Sequence, residues 1–310
     1  MRQGEVAPTA SWIGNPQGGV SAPAPVILPD PARRFSRTAN RLEALAAGHS
    51  MQEWLLFLAR LSRAQHDAAV LLAPIPLDGA TIAKLSAAGM PPLAADGHRR
   101  DPAWRDGLKS IVGQFDRTVS LPDALRAVID SLNSMGAAPL EGMADDFLSG
   151  WIAPDQAGRA LFIAAALQTY FTHRAASLTG ANIHLLPERG LCPCCGSTPV
   201  SGLVTISGTT PGARYLYCSL CSTAWNHVRA VCITCAKSGT LSLRGVEGAS
   251  EAIKAETCDD CHTYSKMLTP SHDSGLDAYA DDLASLGLDL MLSEAGWSRH
   301  APNPLLLAHG

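Results

Sequence analysis

A chain of 310 residues is too long for one small core and should divide into two or more units. With 46% hydrophobic and 17% charged residues it is globular over most of its length, and a net charge of −4 argues against general binding to polyanions. The apolar run Leu161 to Leu167, with Ala160 before it, falls far short of the ~18–20 residues of a membrane span. The N-terminus also lacks the basic start and apolar core of a secretory signal, so the sequence predicts a soluble cytoplasmic protein with no membrane span.

Residues 1–35 read as a flexible Pro/Gly-rich tail, with six prolines and four glycines in the first 34 positions. So little apolar surface cannot offset the entropy of ordering. An extended strand packed along the surface is the alternative. Helical pattern begins near Ser36 and marks a helical domain over 36–187. Ser50 with Glu53 makes a capping box, followed by Met51, Trp54, Leu55, Leu58 and Leu61 at helical spacing. Pro74 and Pro76 should end that helix. Asp78 caps a short helix through Leu85 that Gly89 closes. Further helices are expected at roughly 101–115, at 120–135 (opened by Ser120 with Asp123), at about 139–149, and over about 154–178, the last largely buried. The prediction is an all-α bundle of six or seven helices. His49, His66, His98 and His173 are scattered through it without ligand spacing and read as ordinary residues.

Beyond the linker Leu186-Pro187-Glu188-Arg189-Gly190 lie all nine cysteines, eight of them in four Cys-x-x-Cys pairs: Cys192/Cys195, Cys218/Cys221, Cys232/Cys235 and Cys258/Cys261. The first pair leads the second by 26 positions, the third leads the fourth by the same 26, and adding 40 converts one half into the other. Equal spacing reads as two copies of one small module, 188–230 and 231–270. Two thiolates three positions apart on a tight turn grip one ion, and a second turn brought back by a hairpin completes a tetrahedron. With no export signal, the pairs point to metal rather than to disulfides. Tandem ligation as 192/195/218/221 and 232/235/258/261 closes each module locally, and an interleaved set joining 218/221 to 232/235 is the rival. Short strand-like runs at 200–206, 214–217, 224–230 and 240–243 suit hairpins between the turns. After Pro270 a C-terminal helix and tail over 271–310 should open at Ser274 and bury Leu276, Ala280, Leu283, Leu286 and Leu290. Asp277, Asp281 and Asp282 would complement its dipole.

Tetrahedral sulfur suits both zinc and ferric iron, and the spacing does not separate them. The metals either only fold modules too small for a core of their own or also serve a redox or iron-sensing role. Cys194, between two ligands, reads as a free thiol: a spectator, or a reactive group activated by the knuckle amides. Cys258-Asp259-Asp260-Cys261-His262 matches the c-type haem attachment pattern, but attachment would consume half of the second site, and the repeat explains both cysteines better. His262 is then a knuckle residue or at most a substitute ligand. Between Cys192 and Lys266, six basic residues (Arg214, Arg229, Lys237, Arg244, Lys254, Lys266) face five acidic ones (Glu247, Glu251, Glu256, Asp259, Asp260), too small an excess to drive nucleic-acid binding. Tyr215, Tyr217, Trp225 and Tyr264 could stack on bases but suit small ribbon cores better.

At these residues the chain resembles the formate dehydrogenase accessory (assembly) proteins, the FdhE family. The resemblance rests on Cys192-Pro-Cys-Cys-Gly-Ser-Thr-Pro199, Arg214-Tyr-Leu-Tyr-Cys-Ser-Leu-Cys221, Lys254-Ala-Glu-Thr-Cys-Asp-Asp-Cys261, Ala280-Asp-Asp-Leu-Ala-Ser-Leu286 and Pro302-Asn303-Pro304-Leu305. It is specific over about 186–306 and is carried upstream by the helical layout and the Gly-Met-Pro-Pro-Leu run at 89–93. It implies a cytoplasmic helper, not an enzyme, that binds the catalytic subunit of a respiratory formate dehydrogenase before export by the twin-arginine route. It also implies rubredoxin-type iron in the four-cysteine modules, with zinc left open. The chain departs from the family pattern at Asn226, where a histidine is usual and His227 follows one place later, at His262, where glycine is usual, and in the added thiol of Cys194. The expected architecture is α plus small β: a helical N-terminal domain, two tandem rubredoxin-like or zinc-ribbon modules holding two metal ions, and a C-terminal helix. The functional alternatives are a rubredoxin-type electron carrier and a zinc-ribbon nucleic-acid-binding protein.

Overall fold

In a computed structural model of the chain, the described residues are 22–306 apart from 74, 76, 119, 181–182, 207–209, 247 and 249. Among the described residues seven α-helices precede the cysteine region: α1 (Pro31–Ala46), α2 (Gln52–Leu71), α3 (Gly79–Ala87), α4 (Ala103–Asp116), α5 (Asp123–Ser134), α6 (Ala137–Leu148) and α7 (Ala157–Ala176). Helix α7 is the hub. It is buried on almost every face from Ala160 to Thr172 and packs against α2, α4, α5 and α6. Small side chains such as Ala164, Ala165 and Ala166 let those neighbours approach it closely.

Helix boundaries follow the sequence where local capping decides them. Asp78 Oδ1 accepts from the amides of Ala80 and Thr81, and Gly89 turns at a φ of +69°. Ser50 and Ser120 do not cap: α2 and α5 start without a side-chain cap, and the amide of Met51 donates to His49 Nδ1 instead. Pro74 and Pro76, expected to stop α2, lie outside the described residues, and the helix ends at Leu71. Helix α1 starts at Pro31, five residues before the predicted point. Proline suits the first turn, and Asp30 accepts from Ala32 N. In the described part of the expected tail the extended alternative is what is seen: strand β1 (Val26–Ile27) pairs antiparallel with the strand at Ala224–Asn226, Val26 facing Trp225.

The cysteine region forms one mixed sheet with β1. Its strands β2 (Pro199–Val204), β3 (Arg214–Cys218), β4 (Ala224–Asn226), β5 (Leu241–Arg244), β6 (Ile253–Cys258) and β7 (Thr263–Leu268) run in the order β1-β4-β3-β2-β7-β6-β5, and β8 (Ser298–Arg299) pairs with β7. Each half contributes an antiparallel set, and parallel pairing of β2 with β7 joins them. Sequence pattern missed β6 and β7 because charged residues interrupt them. One of these, Lys266, is fully buried. The predicted single C-terminal helix is two short ones, α8 (Ala280–Ala284) and α9 (Leu286–Glu294). Asp277, not Ser274, receives the first amides of α8, and Leu290 stays exposed.

The aspartates of α8 do more than complement a dipole. Asp281 is held by Arg41 of α1, with Nε to Oδ2 at 2.9 Å, and Asp282 by Arg299 of β8, Lys266 of β7 and Asn303 of the tail. Opposed charges at this depth need such partners, because an unpaired one would cost several kcal/mol. These contacts clamp α8 between bundle and sheet.

Candidate metal centres

The eight paired cysteines converge on two points. Cys192, Cys195, Cys218 and Cys221 bring their sulfurs within 4.8 Å of one another, and Cys232, Cys235, Cys258 and Cys261 do the same. The grouping is tandem, not interleaved. Cross-pair Sγ–Sγ distances are 3.6 Å (Cys192–Cys221) and 3.4 Å (Cys195–Cys218) in the first group, and 3.7 Å for both Cys232–Cys261 and Cys235–Cys258 in the second. A tetrahedron of sulfurs about 2.3 Å from a central ion has edges of about 3.8 Å. Each group can therefore hold one metal ion, and the four-thiolate donor set suits zinc or iron without choosing between them.

Local backbone geometry explains the convergence. The residue after the second cysteine of each pair lies in the left-handed region: Gly196 at +80°, Ser222 at +59°, Ala236 at +59° and His262 at +52°. That reversal lets amides turn inward. Leu220 N and Cys221 N each sit 3.4 Å from Cys218 Sγ, and Thr234 N sits 3.4 Å from Cys232 Sγ. The turns close with Gly196 N donating to Cys192 O, Ala236 N to Cys232 O and His262 N to Cys258 O. Glycine adopts this conformation freely, and a side chain there costs about 1 kcal/mol or more. At His262 the ring packs 5.4 Å from Trp297 and is not grouped with the cysteines.

The two groups sit in unlike surroundings. All four sulfurs of the first belong to the same apolar core as α2, α4 and α7. Leu93 N donates to Cys194 O and Ala95 N to Cys195 O, so the loop after the Gly-Met-Pro-Pro-Leu run binds the first knuckle. Gln168 of α7 donates to Ser219 O, and Tyr279 Oη to Cys218 O. The second group is nearer solvent, with Cys235 and Cys261 partly exposed. Its first knuckle packs on the linker so closely that a Cβ on Gly190 would lie 2.1 Å from Ile233 O. A cavity of about 530 Å³ lies alongside, lined by Arg189, His227, Val231, Cys232 and His300 among others.

Burial raises the thiols of Cys192 and Cys218 well above the ordinary range. In each group one sulfur goes the other way. Burial opposes it, but hydrogen bonds from Cys192, Cys194, Cys195 and Cys218 hold Cys221 well below the usual value. The amides of Cys261 and Asp260 and the Thr240 hydroxyl bring Cys258 down to about 7, against burial. Such donors also favour thiolate on a metal. The thiol of Cys194 is raised by its hydrogen bond to Cys221 and by burial, the reverse of an activated nucleophile.

His227 stands apart from both groups. Its Nδ1 lies 2.5 Å from Arg214 Nη2, and burial lowers its pKa to about 4. Trp225 is fully buried and donates to Arg189 O, and Tyr215 and Tyr264 are buried too, so none offers a face for bases. Sequence reasoning missed Arg214: its side chain is buried, pairs with Glu256 and donates to Val228 O and Val231 O, tying the two halves together. Its only sequence signal was a charge opening a strand. Among the described residues no helix is long and apolar enough to cross a membrane.

Comparison with known proteins covers most of the chain. Residues 23–187 match the profile "FdhE, N-terminal", 191–229 "FdhE, central domain" and 230–306 "FdhE, C-terminal domain". The Protein FdhE homolog of Edwardsiella ictaluri is 40% identical over 291 residues, 93% of each chain. Protein FdhE of Escherichia coli K12 is 38% identical over 286 residues, 91% of each. The crystal structure of the FdhE protein from Pseudomonas aeruginosa superposes with a TM-score of 0.83 at 34% identity, covering 92% of this chain and 99% of that one.

Proposed function

The chain belongs to the FdhE family, and on that premise we propose that it is a cytoplasmic assembly chaperone for respiratory formate dehydrogenase, one that binds the catalytic subunit before export. Two four-sulfur groups, the first of them built into the core of a helical domain, are the observation that carries this reading. An electron carrier needs its metal near a surface and no bundle. Here the first cluster is sealed inside the core that α7 organises.

Each cluster takes one ion, ligated by Cys192, Cys195, Cys218 and Cys221 in the first and by Cys232, Cys235, Cys258 and Cys261 in the second. Iron is assigned to both on the family resemblance. The ion supplies a four-way crosslink between turns that otherwise bury like-charged sulfurs. The chain's own contribution is to aim the sulfurs, donate amides to them, and exclude water from the first cluster.

The test is affinity capture from anaerobically grown cells, paired with formate dehydrogenase activity in a strain lacking the gene. Recovery of the catalytic subunit and loss of activity are expected. Normal activity in that strain, with no catalytic subunit on the bait, overturns the reading. An absorption spectrum of fresh protein decides the metal separately, since ferric tetrathiolate is coloured. Colourless protein holding two zinc ions per chain would replace iron without touching the assembly role.

A further inference from the structure

Arginines 33, 34 and 37 stand on the first turns of α1 at spacings of one, three and four, so they share one face of the helix. All three line a cavity of about 340 Å³ between that helix, β1, β3 and the loop before α8. Leu28, Leu203 and Leu276 supply apolar wall, and Tyr217 closes one side. The charge there is poorly compensated. Asp30 caps α1 and lies 3.7 Å from the well-exposed Arg33. Asp277 Oδ1 accepts from Thr38 and from the first amides of α8.

Arg34 lies with its guanidinium 3.2 Å from the Tyr279 ring centre and donates from Nε to Ser222 Oγ and from Nη1 to Thr38 Oγ1, which fixes its fork and leaves Nη2 without a partner among the described residues. Arg37, itself exposed, has neither a hydrogen bond nor an ion pair among the described residues and lines the cavity near Tyr217. Three guanidiniums against two carboxylates, both already committed to helix ends, leave one positive charge in excess. Like charges at such spacing repel, and apolar walls strengthen any interaction made inside. The combination of a fixed fork, a free fork and an apolar wall suits planar or tetrahedral oxygen anions.

We infer that this cavity is a binding site for an organic oxyanion, a phosphate ester or a carboxylate, held by Arg37 and Arg34 with Arg33 at the rim. The site is independent of the eight cysteines and of the assembly role. Its floor nonetheless reaches the Cys218/Cys221 turn of the first group, because Arg34 holds Ser222 and Tyr279 holds Cys218 O.

The test is calorimetric titration of the full chain in chloride-free buffer with inorganic phosphate and, separately, with acetate. Saturable binding of either is expected, and the better of the two names the source of the oxyanion. Arg37→Ala should weaken it about ten-fold, the equivalent of one charge-assisted hydrogen bond, while Arg37→Lys, which keeps the charge but not the fork, recovers only part of it. Because Arg37 is exposed and makes no hydrogen bond or ion pair among the described residues, its variants should melt like the parent. Arg33→Ala, at the exposed rim, gives a second variant with a smaller loss. Absence of saturable binding for both anions, or binding by Arg37→Ala equal to the parent, overturns the inference.

Discussion

Gly190 tests how the second centre is positioned. A Cβ there would meet Ile233 O at 2.1 Å, so linker and knuckle must separate by about 0.9 Å to reach the 3.0 Å below which such contacts are essentially never found. The obstacle is backbone, so no side chain can swing aside. Ile233 lies between Cys232 and Cys235, and metal–sulfur distances tolerate only about 0.2 Å. If the knuckle moves alone, two sulfurs leave the other two. If the module moves as a body, it strains the β2–β7 pairing and the buried Arg214 contacts. Either route costs about 1–3 kcal/mol, the usual range for overpacking. Gly190→Ala should therefore lower the melting midpoint in circular dichroism and reduce bound metal from two per chain towards one, with the first centre kept. Gly245→Ala, whose added carbon meets Lys254 at an ordinary 3.7 Å, is the control. A Gly190→Ala protein that melts with its parent and holds two ions would refute the reasoning.

Three other changes probe different parts of the same architecture. Ala236→Gly relieves a left-handed φ of +59° and should stabilise the second module by about 0.5–1 kcal/mol, read as slower metal loss to a chelator; faster loss would contradict it. Asp282→Asn leaves Lys266 and Arg299 short of a buried partner and should cost about 3–5 kcal/mol in denaturant unfolding. Burial opposes ionisation of Asp282, but Lys266 and Arg299 outweigh it and hold the carboxyl below its ordinary value. Its stabilisation is therefore complete above the unfolded pKa of about 3.9 and is lost as pH falls through the lower folded value, and the Asn variant should lack that acid limb. Cys218→Ala should loosen the bundle core as well as its own module, whereas Cys258→Ala should leave the bundle protease-resistant; equal digestion of the two variants would count against the unequal burial of the centres.

What the sequence reveals is what short-range chemistry decides. Asp78 caps α3 because its carboxylate needs only two amides beyond it. The cysteines sort into tandem groups because each module closes on itself at equal loop length, and the four left-handed turns follow from the knuckle alone. Where long-range partners decide, local reading fails. Ser50 loses its cap role to His49, whose ring also reaches Ala284 O. Asp281 and Asp282 look like helix-dipole residues until Arg41 and Arg299, 240 and 17 positions away, arrive to pair with them. β6 and β7 look too charged for strands because their charges are neutralised across the fold, Glu256 by Arg214 and Lys266 by Asp289. The family resemblance carries function further than any of these, since client choice is not written in metal-ligand spacing.

The two modules repeat in sequence but not in environment, and that inequality follows from their partners. The first is met on three sides: by the loop at Leu93 and Ala95, by Gln168 of the most buried helix, and by Tyr279 ahead of α8. Its sulfurs count among the core side chains, so an ion there would lock bundle to sheet as well as one hairpin to itself. The second touches the bundle through the linker at Gly190 and the first half through Arg214 and the β2–β7 pairing, and it leaves two sulfurs partly open to solvent. An ion there would shape one module and the wall of the adjacent cavity. Duplication of a ligand pattern thus gives two centres of one chemistry and two mechanical roles, and the difference lies in residues outside the repeat.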